Sequence, residues 1–396
     1  MKIYLITLLC LYSIFSSCSK ETPTGSSSNI AGGIVTPPPP PPPPPNPLST
    51  TCNGYWICVS NTGLRNIFYT SAGGNWPGAY GAVAVTADRV FFAGGHDEGH
   101  YGGPLSTLNS YNPSQNKWTS TYSLSEPRSR LSGIAVGNKV LFAGGNDSRA
   151  TYPVYTTISW RYSNLVDIFD VNSLTQTVAS LSEARAYMAV VNCNNNAWFI
   201  GGKNNSRYSD RIDIYDPVAN SWTQLSLPRP RAHAGATVIG NKIFIGGGKN
   251  ETGNLTVVDV YDASSNQWST LSAPNEHPYA SVVSLNGKVF IAGGDGELNK
   301  SVDVYNTITR TWATGQLSNS RFDMAVGVAN NKIVYMAGNY SPVIDVYNDA
   351  TATWTTGSAG NNSGMVCGTL NDRCYFAGFL GDNGNTSIGT MIIIEP

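Results

Sequence analysis

Charge is what this chain has little of. Lysine and arginine total 24 and aspartate and glutamate 25 in 396 residues, so charged side chains make up 12% of the sequence and the net charge is −1. That share is about half of the ~25% found in an ordinary soluble domain. A surface so nearly neutral has no long-range field to draw in nucleic acid or an anionic membrane. A disordered chain would need more net charge and less than the 41% hydrophobic content present. Motifs are missing too. No Gly-Lys-Ser/Thr phosphate loop, no Gly-x-Ser-x-Gly elbow and no Cys-x-x-Cys pair occurs, which leaves P-loop hydrolysis, α/β-hydrolase chemistry and a structural zinc site without a sequence basis. What is abundant is glycine at 41, tyrosine at 21 and tryptophan at 9, the composition of many short strands and tight turns, not of a coiled coil or helical bundle.

The first 50 residues stand apart. Lys2, an apolar stretch from Ile3 to Phe15 and the small residues Ser16 and Ser17 form a secretory signal over residues 1–17. The stretch is too short for the about 20 residues that a membrane span needs. Phe15-Ser16-Ser17-Cys18 resembles the lipobox of bacterial lipoproteins, although leucine is usual at the position of Phe15. That resemblance implies cleavage before Cys18, lipid attachment to its sulfur, and anchoring to the outer membrane of a Gram-negative bacterium, facing the surface if Ser19-Lys20-Glu21 acts as an export signal. Residues 18–50 are a Ser/Thr/Gly-rich piece followed by nine prolines, Pro37 to Pro45. Proline donates no backbone hydrogen bond, so this run is expected to be a polyproline II stalk of about 28 Å at ~3.1 Å per residue.

Residues 51–396 form the globular part, and the chain repeats from about residue 76. Apolar runs end in glycine at Phe92-Ala93-Gly94-Gly95, Phe142-Ala143-Gly144-Gly145, Phe199-Ile200-Gly201-Gly202, Ile245-Gly246-Gly247-Gly248 and Ile291-Ala292-Gly293-Gly294. Weaker copies are Met336-Ala337-Gly338 and Phe376-Ala377-Gly378. After each of the first six comes an acidic or amide residue two before an aromatic: Asn109/Tyr111, Asp167/Phe169, Asp213/Tyr215, Asp259/Tyr261, Asp303/Tyr305 and Asp345/Tyr347. Seven residues beyond the aromatic stands Trp118, Trp222, Trp268, Trp312 or Trp354, with Gln176 in the second repeat. Each unit reads as four strands. The strand before the glycines is apolar at almost every position, so both its faces must be buried.

A glycine pair followed by spaced tyrosine and tryptophan resembles the kelch repeat. The resemblance implies an all-β fold: a seven-bladed kelch-type β-propeller of four-stranded antiparallel blades. Joining the N- and C-terminal strands would close the ring and remove its exposed edge. Ile392-Ile393-Ile394-Glu395-Pro396 looks like Asp213-Ile214-Tyr215-Asp216-Pro217 of another blade. The C-terminus is therefore expected to give three strands of the last blade and the segment around Trp76 the fourth. The Tyr69–Trp76 spacing also permits two strands from each end.

In kelch propellers the loops between blades and those after the glycine pair share a face, usually the ligand face. Sixteen residues before Gly94, Gly144, Gly201, Gly247, Gly293, Ala337 and Gly378 the chain has Gly78, Arg128, Arg185, Arg231, His277, Arg321 and Asn362. Four arginines and a histidine there could form a basic ring that captures carboxylates or glycans through planar guanidinium forks. They could equally satisfy loop carbonyls and hold the fold. The long insert between Gly145 and Val166 adds Tyr155 and Trp160 as stacking surfaces for a sugar or anchors for a protein. His96 and His100 share a loop but lack a third ligand of known geometry, so no metal is expected, and no cofactor. The copper site of galactose oxidase, itself on a kelch propeller, is not carried over, because no Tyr is directly followed by a His and no cysteine sits beside His96 or His100. Bacterial sialic-acid mutarotases are also kelch propellers, and Glu183 and Glu276 lie near Arg185 and His277. The sequence thus points to a non-catalytic surface module for a glycan or protein ligand, the alternative being a sugar-active enzyme, either a sugar oxidase or a mutarotase-like protein. Of the cysteines, Cys367 and Cys374 flank one hairpin, Cys52 or Cys58 could reach that hairpin instead, and Cys193 is expected to stay free. If the lipobox reading is right, Cys18→Ala loses detergent-phase partitioning; unchanged partitioning removes the anchor.

Overall fold

The computed structural model describes residues 65–69, 78–97, 103–149, 159–294, 300–338, 341–359, 361–381 and 388–396. The chain divides into Met1–Ser49 and Thr50–Pro396, and all described residues belong to the second unit. The signal, Cys18, the proline run, Cys52, Cys58 and Trp76 lie outside them.

The architecture is a seven-bladed propeller in which every blade is a four-stranded antiparallel sheet. Blade 1 runs through Ala82–Val85, Val90–Ala93, Thr107–Asn112 and Lys117–Ser123. Blade 3, the most regular, comprises Ala189–Cys193, Asn196–Ile200, Arg211–Asp216 and Ser221–Ser226. Tight turns with residues in the left-handed region join the first two strands, as at Asn194 (φ 52°) and Asn195 (φ 59°). The second strand is buried almost throughout in each of the first six blades, for example Lys139–Ala143, Lys242–Gly246 and Lys332–Met336. The fourth strand of blades 3 to 6 is exposed except for two half-buried positions, its tryptophan and the residue three further on. A narrow inner strand, a fully buried second and a half-wet outer strand are what wedge-shaped blades around an axis require.

The closure is three strands plus one, with a correction to its position. Asn361–Leu370, Arg373–Gly381 and Ile388–Glu395 form the inner three strands of blade 7, and Arg65–Tyr69 is the outermost. Its register runs from Arg65 opposite Glu395 to Tyr69 opposite Met391. The closing segment is therefore residues 65–69, not the segment around Trp76, because Tyr69 already lies in the outer strand. Phe92 and Tyr111 of blade 1 pack with Tyr375 and Ile393 of blade 7 in one cluster across the seam.

The tyrosine and tryptophan of each repeat face each other across the third and fourth strands. Tyr215 is opposite Trp222 and Tyr261 opposite Trp268, with ring centroids 5.0 and 4.9 Å apart. Blade 2 solves the same problem differently. Gln176 donates to the Asp167 carboxylate at 3.0 Å and to the Ser123 carbonyl at 2.9 Å, while Tyr122 from blade 1 lies 4.2 Å from the Phe169 ring. At the outer turn of blade 3 the Asp216 carboxylate accepts from the N–H groups of Val218 and Ala219, and Tyr215 donates to Asn220 at 2.7 Å.

The inter-blade arginines bind neighbouring blades together. Their carbonyls accept from the second glycine of the preceding blade: Gly145 N–H reaches Arg185 O at 3.0 Å and Gly202 N–H reaches Arg231 O at 2.8 Å. Their side chains turn into their own blade. Arg185 Nε donates to Gly201 O at 2.8 Å, and its guanidinium pairs with Asp213 at 2.7 Å. Arg128 pairs likewise with Asp167, Arg231 with Asp259 and Arg321 with Asp345. His277 takes the same place, with Nδ1 2.8 Å from Gly293 O and Nε2 3.1 Å from Asp303. The glycine pair is required because a Cβ on Gly201 would sit 2.5 Å from Arg231 O, and φ there is 63°.

Removing one partner of such a pair strands a buried charge. Arg185→Ala is expected to destabilise the propeller by about 3–5 kcal/mol, whereas the double change Arg185→Met with Asp213→Leu recovers most of that loss. Denaturant titration checks both, and an Arg185→Ala protein within about 1 kcal/mol of the parent would show that the pair carries no such role.

Candidate functional site

The arginine ring read from the sequence is not a solvent-facing ring. Arg128, Arg185 and Arg321 are 0% exposed and Arg231 and His277 1%, and each is engaged by an aspartate and a carbonyl as described above. Of the two readings the sequence allowed, the structure places these five side chains in the fold-holding one. Burial withdraws them from any ligand at the channel mouth.

Two residues further along each loop the picture changes. Tyr80, Arg130, Tyr187, His233, Tyr279, Asp323 and Gly364 occupy equivalent positions in blades 1 to 7, and all seven line one cavity of about 230 Å³. Every one is in the left-handed region, with φ of 58°, 55°, 59°, 57°, 59°, 52° and 56° in that order. That conformation is uncommon for any residue with a side chain and more so for bulky ones, and strain of this kind clusters at functional sites. Here its immediate cause is a backbone circuit. Tyr80 N–H donates to Gly364 O at 2.8 Å, Arg130 to Tyr80 O at 2.7 Å, Tyr187 to Arg130 O at 3.4 Å, His233 to Tyr187 O at 3.2 Å and Ala280 to His233 O at 3.1 Å. The inner rim is thus tied head to tail across blades 7, 1, 2, 3, 4 and 5.

The side chains on that circuit pack against one another, with their rings tilted. His233 lies between Tyr187 and Tyr279, at ring-centroid distances of 4.2 and 4.3 Å. Arg130 sits over Tyr80 at 4.5 Å, Trp160 at 5.3 Å and Tyr187 at 5.5 Å. Residues directly after the glycine pair add cations: Lys249 stands 4.1 Å over the Tyr279 ring and bonds its hydroxyl, and Lys203 lies 5.6 Å from the Tyr208 ring. Burial, and then Lys249, Lys203 and Arg130, push the His233 imidazole down to about 3, so it is neutral at ordinary pH. Burial likewise pushes Tyr187 up to about 12.

Trp160 is half-buried on a two-stranded ribbon, Asn146–Arg149 with Ser159–Tyr162, that rises from blade 2. Its carbonyl accepts from Asn205 of blade 3 at 2.8 Å. Tyr155, at the far end of that insert, lies outside the described residues. His96 bridges the backbone of Ala79 and Pro104, and His100 is not among the described residues. Among the described residues no group of three or more His, Cys, Asp or Glu side chains is placed to hold a metal ion. Cys193, Cys367 and Cys374 are free thiols. Glu183 is engaged by Ser209 and by Arg207 at 2.6 Å; burial alone would raise its carboxyl, but these two donors hold it below the usual range.

Residues 184–226, 230–275 and 277–316 match the Kelch motif. Kelch repeats are present. They coincide with blades 3, 4 and 5, the blades that supply Tyr187, His233 and Tyr279. No curated protein matches the chain by sequence. Among solved structures, YjhT is 13% identical, with a TM-score of 0.51 over 80% of this chain and 94% of its own. At that identity the likeness is one of fold.

The neutral His233 gives an acid-sensitive stability. Below the ordinary imidazole value of 6.5 the unfolded chain takes up a proton that the folded chain refuses until about 3. Stability contributed above pH 6.5 is therefore lost as pH falls through that window. His233→Asn, which tolerates the left-handed backbone, is expected to flatten this dependence. Melting curves between pH 7 and 4 decide it, and equal slopes for parent and variant would refute it.

Proposed function

We propose that this chain is a non-catalytic binding module, held at the cell surface through a lipid on Cys18, that takes a glycan or protein ligand at the mouth of its propeller channel. The observation that carries the reading is the difference between two neighbouring positions of the same loop. One is Arg or His in five blades and is consumed by the fold. The other, two residues on, differs from blade to blade and lines an open cavity with three tyrosines, a histidine, an arginine and an aspartate. Aromatic faces and stacked cations are the surfaces that bind sugars and protein hot spots. Trp160 on its ribbon extends this surface outward.

The sugar-active alternative has less behind it. Glu183, one of the two carboxylates it would employ, is held ionised by Ser209 and Arg207, whereas a general acid working near neutrality needs its affinity for the proton raised. Neither Glu183 nor Glu276 lines the cavity, whose one acidic lining residue is Asp323.

Tyr187→Asn and Tyr279→Asn keep a residue suited to the left-handed backbone and remove the stacking faces. Each is expected to weaken capture on a glycan array or of a protein partner by about 1–2 kcal/mol, roughly five- to thirty-fold, with melting temperatures near that of the parent. Undiminished binding by both variants would place the ligand elsewhere.

A further inference from the structure

We infer that the group entering the channel mouth is an oxyanion, a carboxylate or a sulfate, carried on a ring that tyrosine can stack against, with Arg130 as its principal donor. The inference rests on the binding reading above and narrows it to a ligand class.

Most other arginines of this protein are paired with acids. In a chain of net charge −1, the loop arginines Arg128, Arg185, Arg231 and Arg321 are each neutralised by an aspartate of their own blade. The exposed Arg161 and Arg207 also have acidic partners, Glu126 with Asp147 for the first and Glu183 for the second. Arg130, only two residues from Arg128, has no acidic side chain paired with it among the described residues. Its guanidinium is held instead by aromatic faces, those of Tyr80, Trp160 and Tyr187. Stacking occupies the face of a guanidinium and leaves the N–H edge free for a planar acceptor, the geometry in which arginine grips carboxylates and sulfates.

A second cation stands close by. Lys249 lies 4.1 Å over the ring of Tyr279, which lines the cavity, although neither Lys249 nor Lys203 lines it directly. Among the lining residues Arg130 carries the positive charge and Asp323 the negative one. Arg130, Lys203 and Lys249 stand around rings, not beside carboxylates, so an incoming anion displaces no internal ion pair. The cavity, about 230 Å³, falls below the roughly 300–1,000 Å³ of sites that engulf a drug-sized ligand. It suits a headgroup or a single sugar residue at the end of something larger.

Calorimetry at low salt with D-glucuronate, D-glucose 6-sulfate and D-glucose tests the class and separates its two sources. At least one of the anions is expected to bind at least tenfold more tightly than glucose, and to weaken as salt is raised. Glucuronate alone identifies a carboxylate ligand, and the sulfate ester alone a sulfated one. Arg130→Gln is expected to lose at least tenfold in affinity for that anion with an unchanged melting temperature. Arg130→Lys, which keeps the charge but not the fork, is expected to fall between. Glucose binding as tightly as the anions, or Arg130→Gln binding as well as the parent, overturns the inference. If an array-selected glycan or a protein partner binds, depends on Tyr187 and ignores Arg130→Gln, the oxyanion fails while the binding module stands. If it ignores Tyr187→Asn as well, both fail.

Discussion

The propeller depends on one buried interaction repeated around the ring: an inter-blade arginine whose backbone belongs to the preceding blade and whose side chain belongs to its own. The carbonyl of Arg231 holds Gly202 of blade 3, and its guanidinium holds Gly247 and Asp259 of blade 4. At the five seams from blade 1 to blade 6, where an arginine or His277 stands, neighbouring blades are thereby fixed by main-chain hydrogen bonds, not by side-chain packing alone. The arrangement explains why the glycines come in pairs. The first is pressed against the carbonyl of the next inter-blade arginine, or of His277, at 2.4 to 2.5 Å from where a Cβ would stand at Gly94, Gly144, Gly201 and Gly247. The second supplies the N–H that this carbonyl accepts. A charge-poor protein buries four of its 24 basic residues in its own seams, which is costly in desolvation and stabilising only because every member of the set is paired.

Much of this was legible from residues alone, because repetition amplifies a weak signal. A single Phe-Ala-Gly-Gly means little, but seven glycine motifs, six of them followed by an acidic or amide residue and an aromatic and five by a tryptophan in register, define strands, blades and their number. The closing strand was the exception. Arg65–Tyr69 carries no glycine pair and no tryptophan of its own, so nothing local distinguishes it, and the Tyr69–Trp76 spacing drew the expectation several residues too far along the chain. Only pairing with Ile388–Glu395, more than 300 residues away, sets its place.

The site was legible in part, and the part that was missed has a physical reason. Counting sixteen residues back from each glycine collects arginines, and arginine on a ligand face suggests a binding ring. Counting fourteen back collects Tyr80, Arg130, Tyr187, His233, Tyr279, Asp323 and Gly364, which look like noise in a sequence because they share no chemistry. Their common property is backbone conformation, a left-handed φ in all seven, and no residue type announces it. Glycine does so by permission and asparagine by tendency, whereas tyrosine at such a position gives no warning.

Equivalence among blades then becomes the criterion that separates structure from function. A role needed by every blade selects the same residue each time, as at Arg128, Arg185, Arg231 and Arg321. A ligand, which lacks sevenfold symmetry, needs different groups from different blades on one rim. The inner circuit meets both demands at once: its main chain is nearly uniform and its side chains are not. Blades 2 to 5 place an arginine, two tyrosines and a neutral histidine on consecutive segments of it, flanked by Lys203 and Lys249, whereas blade 7 contributes Gly364, whose added Cβ would come within 2.6 Å of Ala79 and Tyr80. The chemistry of the mouth is therefore lopsided, crowded with aromatic and basic groups on one arc. An asymmetric arc on a symmetric ring is the geometry that orients one ligand in one way.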